Sequence, residues 1–300
     1  MKRETTTWKL RTRTLELGAR TLVMGVVNIT PDSFSDGGMF LERDEAVSRA
    51  LHLLDEGAEI IDLGAESTRP GSKAGDAEPA VSAEEELSRL LPVLSGVLEE
   101  RPDAIVSVDT YKRATARAAI GAGAEIVNDV SGLMWDPEMA GVCAESKAGV
   151  VLMHTRGRPQ EWLTQPRLVA DELMTMVRSG LETSLQTAER AGVARESIVL
   201  DPGYGFGKRF EENYALLARQ AELLQLGRPL LAGVSRKSFL GHTLAAVRGG
   251  APAAARQRET ASIAALVAAI LNGASIVRVH WARPAIEAAR IADAVIAACD

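Results

Sequence analysis

Eight short apolar runs in this chain each end at or beside a side chain that could bind or polarise a ligand. In order these are Asn28, Asp62, Asp109, Asn128 with Asp129, His154, Asp201, Ser235-Arg236-Lys237, and Arg278 with His280. Turns and helix caps use such residues at one or two places. Eight in succession point to one shared polar pocket. The set lacks a Ser-His-Asp or Cys-His arrangement, so covalent acyl chemistry is not expected. It also lacks a three-His or His-Glu set for catalytic zinc. Asp109, Asn128, Asp201 and Lys237 offer acceptors and donors at fixed positions, which suits a flat heterocycle edged with N–H, NH2 and C=O groups. Asp201 can accept two hydrogen bonds from an amino-pyrimidine edge, and Lys237 can donate to a ring oxygen or nitrogen. Arg236, Arg278 and His280 gather on the last two runs as an anion site. Asn28 is a neutral oxygen donor, suited to Mg²⁺ held mainly by substrate phosphates and water.

Several of these residues have plainer readings. Lys237 alone could form a Schiff base; beside Arg236 and opposite Asp201 it reads better as a hydrogen-bond donor. His154 reads equally as a base or as a buried, hydrogen-bonded histidine, and is given no catalytic role. Asp62 reads as a cap or support for the loop that follows it. Met153 alone reads as core.

The elements that position these groups follow from the pattern. The apolar runs are 22–28, 59–63, 104–109, 125–129, 149–154, 197–201, 230–235 and 275–280. Each has strand length, and none alternates cleanly with polar residues, as expected of parallel strands buried on both faces. Helical patterns lie between them at 44–56, 112–120, 137–145, 168–190, 211–226, 258–271 and 284–298. A further one is opened by the capping-box form Ser82-Ala83-Glu84-Glu85. The pairs Gly57-Ala58, Gly123-Ala124 and Gly273-Ala274 read as C-terminal caps leading straight into a strand. Eight such units without a break predict one α/β domain over 1–300, a single (β/α)8 TIM barrel over 18–300. An N-terminal β-hairpin extension within 1–17 is placed under the barrel's N-terminal mouth. An open doubly wound sheet would use fewer units and a glycine fingerprint after strand one, which the sequence lacks.

Composition narrows the partners. The chain has 300 residues, with 40 acidic and 34 basic side chains and a net charge of -6. That balance, with only 4% aromatics, speaks against nucleic acid and anionic membrane. Cys143 and Cys299 have neither zinc nor redox spacing. They read as small buried or half-buried side chains in helices, and a reducing, cytoplasmic setting is the default expectation. The N-terminus reads as polar, without a signal core. Residues 260–277 carry no charge but contain Ser262, Asn272, Gly273 and Ser275, so a buried helix and strand are expected there instead of a membrane span.

Two long loops follow the first two strands. Val27-Asn28-Ile29-Thr30-Pro31-Asp32-Ser33-Phe34-Ser35-Asp36-Gly37-Gly38 resembles the first signature of bacterial dihydropteroate synthases, and Glu66-Ser67-Thr68-Arg69-Pro70-Gly71 resembles the second. Further motifs of that family recur in order as Ser107-Val108-Asp109-Thr110, Asn128-Asp129-Val130-Ser131-Gly132, Met153-His154, Asp201-Pro202-Gly203, Gly233-Val234-Ser235-Arg236-Lys237-Ser238 and Arg278-Val279-His280. They span nearly the whole chain.

The resemblance implies a transferase of folate biosynthesis. It would condense 6-hydroxymethyl-7,8-dihydropterin pyrophosphate with p-aminobenzoate to give 7,8-dihydropteroate and pyrophosphate, with Mg²⁺, as a homodimer through the last helices. It implies a pterin site of Asp109, Asn128, Met153, Asp201, Lys237 and Arg278, and a pyrophosphate site of Asn28, Arg278 and His280, with the metal on Asn28. It implies a p-aminobenzoate site of Thr68, Arg69, Pro70, Phe206, Lys237 and Ser238. Asp109, Lys237, Asp36 and Arg69 take the catalytic roles, with Asp36 and the first loop closing over the reacting carbon. Ala65 stands where the family often has Gly, and Trp281 where it commonly has Asp. A pterin methyltransferase would not need both loops and Ser235-Arg236-Lys237. A pterin-binding paralogue without turnover would have Trp281 as its best support.

Overall fold

The computed structural model describes residues 3–29, 38–68, 70–76, 79 and 81–298. Asp36, Arg69 and Cys299, and most of the first loop, lie outside them. A hairpin of β1 (Thr6–Lys9) and β2 (Thr14–Leu17) comes first. The barrel strands are β3 (Leu22–Asn28), β4 (Ile60–Gly64), β5 (Ile105–Asp109), β6 (Ile126–Asp129), β7 (Gly149–Met153), β8 (Ile198–Asp201), β9 (Leu230–Ala232) and β10 (Ala274–Val279). They pair in parallel in chain order, and β10 closes on β3. The expected barrel and hairpin are both present.

Helices α1 (Gly38–Asp55), α2 (Ala83–Glu100), α3 (Arg113–Gly121), α4 (Met139–Ser146), α5 (Ala170–Arg190), α6 (Phe210–Arg219), α8 (Glu259–Leu271) and α9 (Ala282–Ala297) occupy the connections. The segment expected as one helix over 211–226 changes to a 3-10 turn from Gln220. A short helix that the sequence pattern did not show, α7 (Ser238–Leu244), follows the Ser-Arg-Lys turn. Residues 260–277 divide between α8 and β10 as expected, and no helix among the described residues is long and apolar enough to cross a membrane. Ser82 caps α2 by accepting the Glu85 amide at 3.1 Å. The reciprocal half of the expected capping box is replaced, because Glu85 pairs with Arg89 one turn on. Gly57, Gly123 and Gly273 all have positive φ, which lets the chain leave a helix and enter the next strand within two residues.

Strand side chains alternate between the barrel interior and the helical layer. Met24, Ile60, Ile105, Ile126, Val151, Val199, Leu231 and Ile276, one from each strand, pack inside with Trp8, Leu10 and Leu17 of the hairpin. Their neighbours Val23, Ile61, Val106, Val127, Val150, Ile198, Leu230 and Val277 pack outward against the helices. The hairpin therefore closes the N-terminal mouth. Trp8 is fully buried and donates its indole N–H to the Ser197 carbonyl at 2.8 Å. Gly149 has to be small, because a Cβ there would lie 2.5 Å from the Leu10 side chain. With the lower barrel filled, the C-terminal mouth is left for a ligand.

Candidate functional site

The same alternation sets which strand-end residues reach the cavity. Counting in twos from the inner apolar layer leads to Asn28 on β3, Asp62 on β4, Asp109 on β5, Asn128 on β6, Met153 on β7 and Asp201 on β8. It leads to Gly233 and Ser235 after β9, and to Arg278 and His280 at β10. A cavity of about 1070 Å³ opens there, and its wall includes Asn28, Thr68, Pro70, Asp109, Asn128, Met153, Asp201, Phe206, Lys237, Ser238, Arg278 and His280. The site residues named from sequence thus share one cavity, apart from Asp36 and Arg69, which lie outside the described residues.

Two strand-end residues with the other parity face away. Asp129 turns outward and braces the next loop, accepting the amides of Ser131 at 2.7 Å and Leu133 at 3.0 Å. His154 is buried against α5, where a Cβ on Gly180 would come within 2.4 Å of its ring. Burial, then the nearby Lys208, holds its pKa well below the usual histidine value, so it is a neutral core residue.

Asp62 departs from its expected role as a loop support. It is fully buried inside the barrel, where Arg278 Nε donates to Oδ2 at 2.6 Å and Asn128 Nδ2 donates to the same oxygen at 3.0 Å. Arg278 Nη2 reaches Asp109 Oδ2 at 2.7 Å. Asn128, Asp62, Arg278 and Asp109 therefore form one chain of contacts across the floor. Burial raises the Asp109 pKa to about 7, with Arg278 opposing and Asp62 adding to the rise. Asp201 accepts the Gly203 amide at 2.7 Å through Oδ1. Burial raises its pKa as well, against the pull of Gly203 and Lys237.

Lys237 faces Asp201 from the turn before α7. Its ammonium stands 3.9 Å from the centroid of the Phe206 ring, a cation–π contact. Burial lowers its pKa to about 8, with Asp201 countering. The ammonium form still predominates at neutral pH, as a hydrogen-bond donor requires. Trp162, which sequence reasoning missed, meets Phe206 edge to face at 5.1 Å and lines the same wall. Lys208 holds this loop by donating to the carbonyls of Gly203 at 2.8 Å and His154 at 3.1 Å.

The second loop is anchored from behind. Lys112 bridges Glu66 at 2.6 Å and Glu86 at 3.0 Å in a buried cluster that the sequence pattern did not reveal. Gly75 has positive φ and lies flat on Trp135, where a Cβ would fall 2.6 Å from the indole ring. The Gly71 amide donates to the Pro159 carbonyl at 2.9 Å. These contacts present Thr68 and Pro70 to the cavity beside Phe206 and Ser238.

At the other end, Ser235 Oγ lies 3.0 Å from His280 Nδ1 and accepts the His280 amide at 3.3 Å. We assign the ring proton to Nε2 on that basis. Burial and then Arg236 push the His280 pKa down to about 3, so the ring is a neutral donor. Asn28 is exposed at the strand end. Among the described residues, no three His, Cys, Asp or Glu side chains gather to hold a metal ion. One neutral oxygen beside an anion site fits a divalent cation carried on substrate phosphates. Trp281 is 44% exposed at the rim, at the start of α9.

A barrel whose mouth joins a heterocycle-binding floor to a cationic end belongs with enzymes that hold a flat, phosphorylated ligand. Residues 24–280 match the pterin binding enzyme family. The dihydropteroate synthase of Synechocystis sp. is 41% identical over 279 residues, covering 93% of this chain and 91% of that protein. The Escherichia coli (strain K12) dihydropteroate synthase is 40% identical, covering 92% of each. A Yersinia pestis dihydropteroate synthase with a sulfonamide drug superposes with a TM-score of 0.85 at 39% identity, over 97% of this chain and all of that one. The chain belongs to the dihydropteroate synthase family of pterin binding enzymes.

Proposed function

We propose that this chain joins 6-hydroxymethyl-7,8-dihydropterin pyrophosphate to p-aminobenzoate, giving 7,8-dihydropteroate and pyrophosphate in folate biosynthesis. The observation that carries this reading is the continuous floor from Asn128 through Asp62 and Arg278 to Asp109, with Lys237 and Asp201 completing the ring of donors and acceptors. A similar Xanthomonas albilineans structure, 36% identical with a TM-score of 0.81, is a dihydropteroate synthase in complex with 7,8-dihydropteroate.

In this reading the pterin lies flat on the floor. Asp109, Asn128 and Asp201 accept from or donate to its amino-pyrimidine edge, and Lys237 donates to the opposite edge. Met153 and the Arg278 guanidinium flank its faces. The pyrophosphate points toward Asn28, Arg278 and His280, where His280 Nε2–H donates to a phosphate oxygen. Asn28 would offer a neutral oxygen to a Mg²⁺ ion, which would supply neutralisation of the pyrophosphate charge. The aryl ring of p-aminobenzoate packs by Phe206 and Pro70, with Thr68, Ser238 and Lys237 around it. An arylamine is mostly unprotonated at neutral pH, so attack on the methylene carbon needs no strong base. The barrier lies in leaving-group departure and in the cation that develops on the methylene carbon. Fixed carboxylates on the floor stabilise that cation.

A product assay tests the whole reading. Purified protein with both substrates and Mg²⁺ should release dihydropteroate, seen by mass spectrometry, and pyrophosphate, seen by a coupled assay. Tight binding of the pterin pyrophosphate with neither product would instead make the chain a binding paralogue. The same reading makes it a cytoplasmic homodimer through α8 and α9, where exposed Leu271 and Ile291 offer apolar surface. Sedimentation at monomer mass would remove the dimer from it.

A further inference from the structure

Cationic side chains crowd the pyrophosphate end of the cavity, and nearly all are already engaged by protein groups. Arg278 is neutralised by Asp62 and Asp109. Arg236 has a left-handed backbone with φ 59°, and its guanidinium meets Glu259 at 2.5 Å. Arg258 spends its donors on the carbonyls of Ala253 at 2.7 Å and Arg236 at 2.8 Å. Arg256 is exposed at the rim. That leaves Arg49 of α1, which lines the same cavity and is half-buried. Among the described residues it makes no ion pair, and its Nη2 donates to the His280 carbonyl.

A half-buried guanidinium without a carboxylate is costly. Burial is the main influence lowering the pKa of Arg49; Glu56 opposes it, Arg236 adds to it, and Glu259 opposes it more weakly. Such a residue is stabilised when an anion arrives. The cavity itself brings that anion: the pyrophosphate expected on Asn28, Arg278 and His280 lies at the end where Arg49 holds the His280 backbone. A guanidinium has donors to spare after one carbonyl contact.

We propose that Arg49 is a further ligand of the leaving pyrophosphate, engaging it beside His280 from the helix that follows the first loop. This rests on the synthase reading above. It gives the leaving group a cation that is in no ion pair with a described carboxylate, whereas the Arg278 charge is shared with the pterin floor.

The test compares two ligands on one protein, in buffer containing Mg²⁺. Calorimetric titration measures the affinity for 6-hydroxymethyl-7,8-dihydropterin pyrophosphate and for the same pterin without phosphates. Arg49→Gln keeps a donor for the His280 carbonyl and removes the charge; Arg49→Lys keeps the charge as a second variant. A charge-assisted hydrogen bond is worth about 1.5–3 kcal/mol, so Arg49→Gln should weaken the pyrophosphate ligand at least about tenfold. The phosphate-free pterin should bind within about twofold of wild type on the same scale. Arg49→Lys should fall between. Unchanged pyrophosphate affinity overturns the inference, and so does an equal loss for both ligands, which would mark a structural residue. If the wild-type protein binds neither pterin, the synthase reading fails first and takes this inference with it.

Discussion

Asp62 is the residue whose replacement most directly tests the floor of the site. Its Oδ2 accepts from Arg278 Nε at 2.6 Å and Asn128 Nδ2 at 3.0 Å, and its carboxylate is fully buried. It therefore fixes two side chains of the cavity wall without lining the cavity itself. Asp62→Asn keeps the shape and removes the charge. A hydrogen bond to a charged group contributes about 1.5–3 kcal/mol, and the asparagine oxygen can replace it only in part. If about 1.4–2.8 kcal/mol of ordering passes to the ligand, affinity for the pterin pyrophosphate falls about ten- to a hundredfold. Calorimetry measures that loss, and steady-state kinetics should show KM for p-aminobenzoate little changed. A second readout separates positioning from simple destabilisation. Asp62 helps raise the Asp109 pKa, so removing its charge should move the acid limb of kcat/KM to lower pH. Asp129→Asn is the control: that carboxylate is equally buried but faces the loop. It should lower thermal stability and spare pterin affinity. Pterin affinity within about twofold of wild type for Asp62→Asn, or an equal loss for Asp129→Asn, would refute the reasoning.

Three further outcomes follow from the geometry. The pH profile of kcat/KM for the pterin substrate should be a bell. It falls below about pH 7 as Asp109 takes a proton and loses its hold on Arg278, and above about pH 8 as Lys237 loses the proton it donates. Lys237→Ala should abolish measurable pterin binding, and normal turnover in that variant would overturn the site assignment. Trp8→Ala should cost about 3–5 kcal/mol of unfolding free energy in denaturant titration, while the folded protein keeps its KM values, because the hairpin closes the mouth opposite the site.

The barrel was legible because its strands are largely apolar and several of its helices end in glycine just before a strand. The same continuity hid which residues face inward. In 60–64 every residue is buried, so no polar–apolar alternation tells the interior from the helical face. Asp62 could then be read as a loop support, and Asp129 could be grouped with Asn128. One further fact resolves it: Ile60 packs with Trp8 inside the barrel. Two residues on, Asp62 must then point inward, and Asn128 follows from Ile126 in the same way. Helix α7 escaped notice for a different reason. It has seven residues, too few to repeat an amphipathic period, and Lys237 at its start is a strong signal of chemistry that masks a weak signal of helix. The partners of Lys112 were invisible for a third reason, because Glu66 and Glu86 lie 46 and 26 residues away in sequence.

The parity of the strands also explains how one site serves two electrostatic tasks. Asp62 and Asp109 share Arg278 on the floor, so most of the charge under the pterin is compensated within the protein. Neutrality there matters, since net charge under an uncharged ring would have to be desolvated when the ring binds. The anion end is built the other way. His280 is held neutral by burial and then by the cations around it, and Arg49 carries a charge that no described carboxylate pairs. On the proposed reading, binding energy from the pyrophosphate would be concentrated where the bond to the methylene carbon breaks, while the floor would supply orientation. An exchange of these arrangements, with a carboxylate near Arg49 or none near Arg278, would bind the ring and the phosphates no less specifically in shape. It would lose the difference in charge that favours departure of the leaving group over its retention.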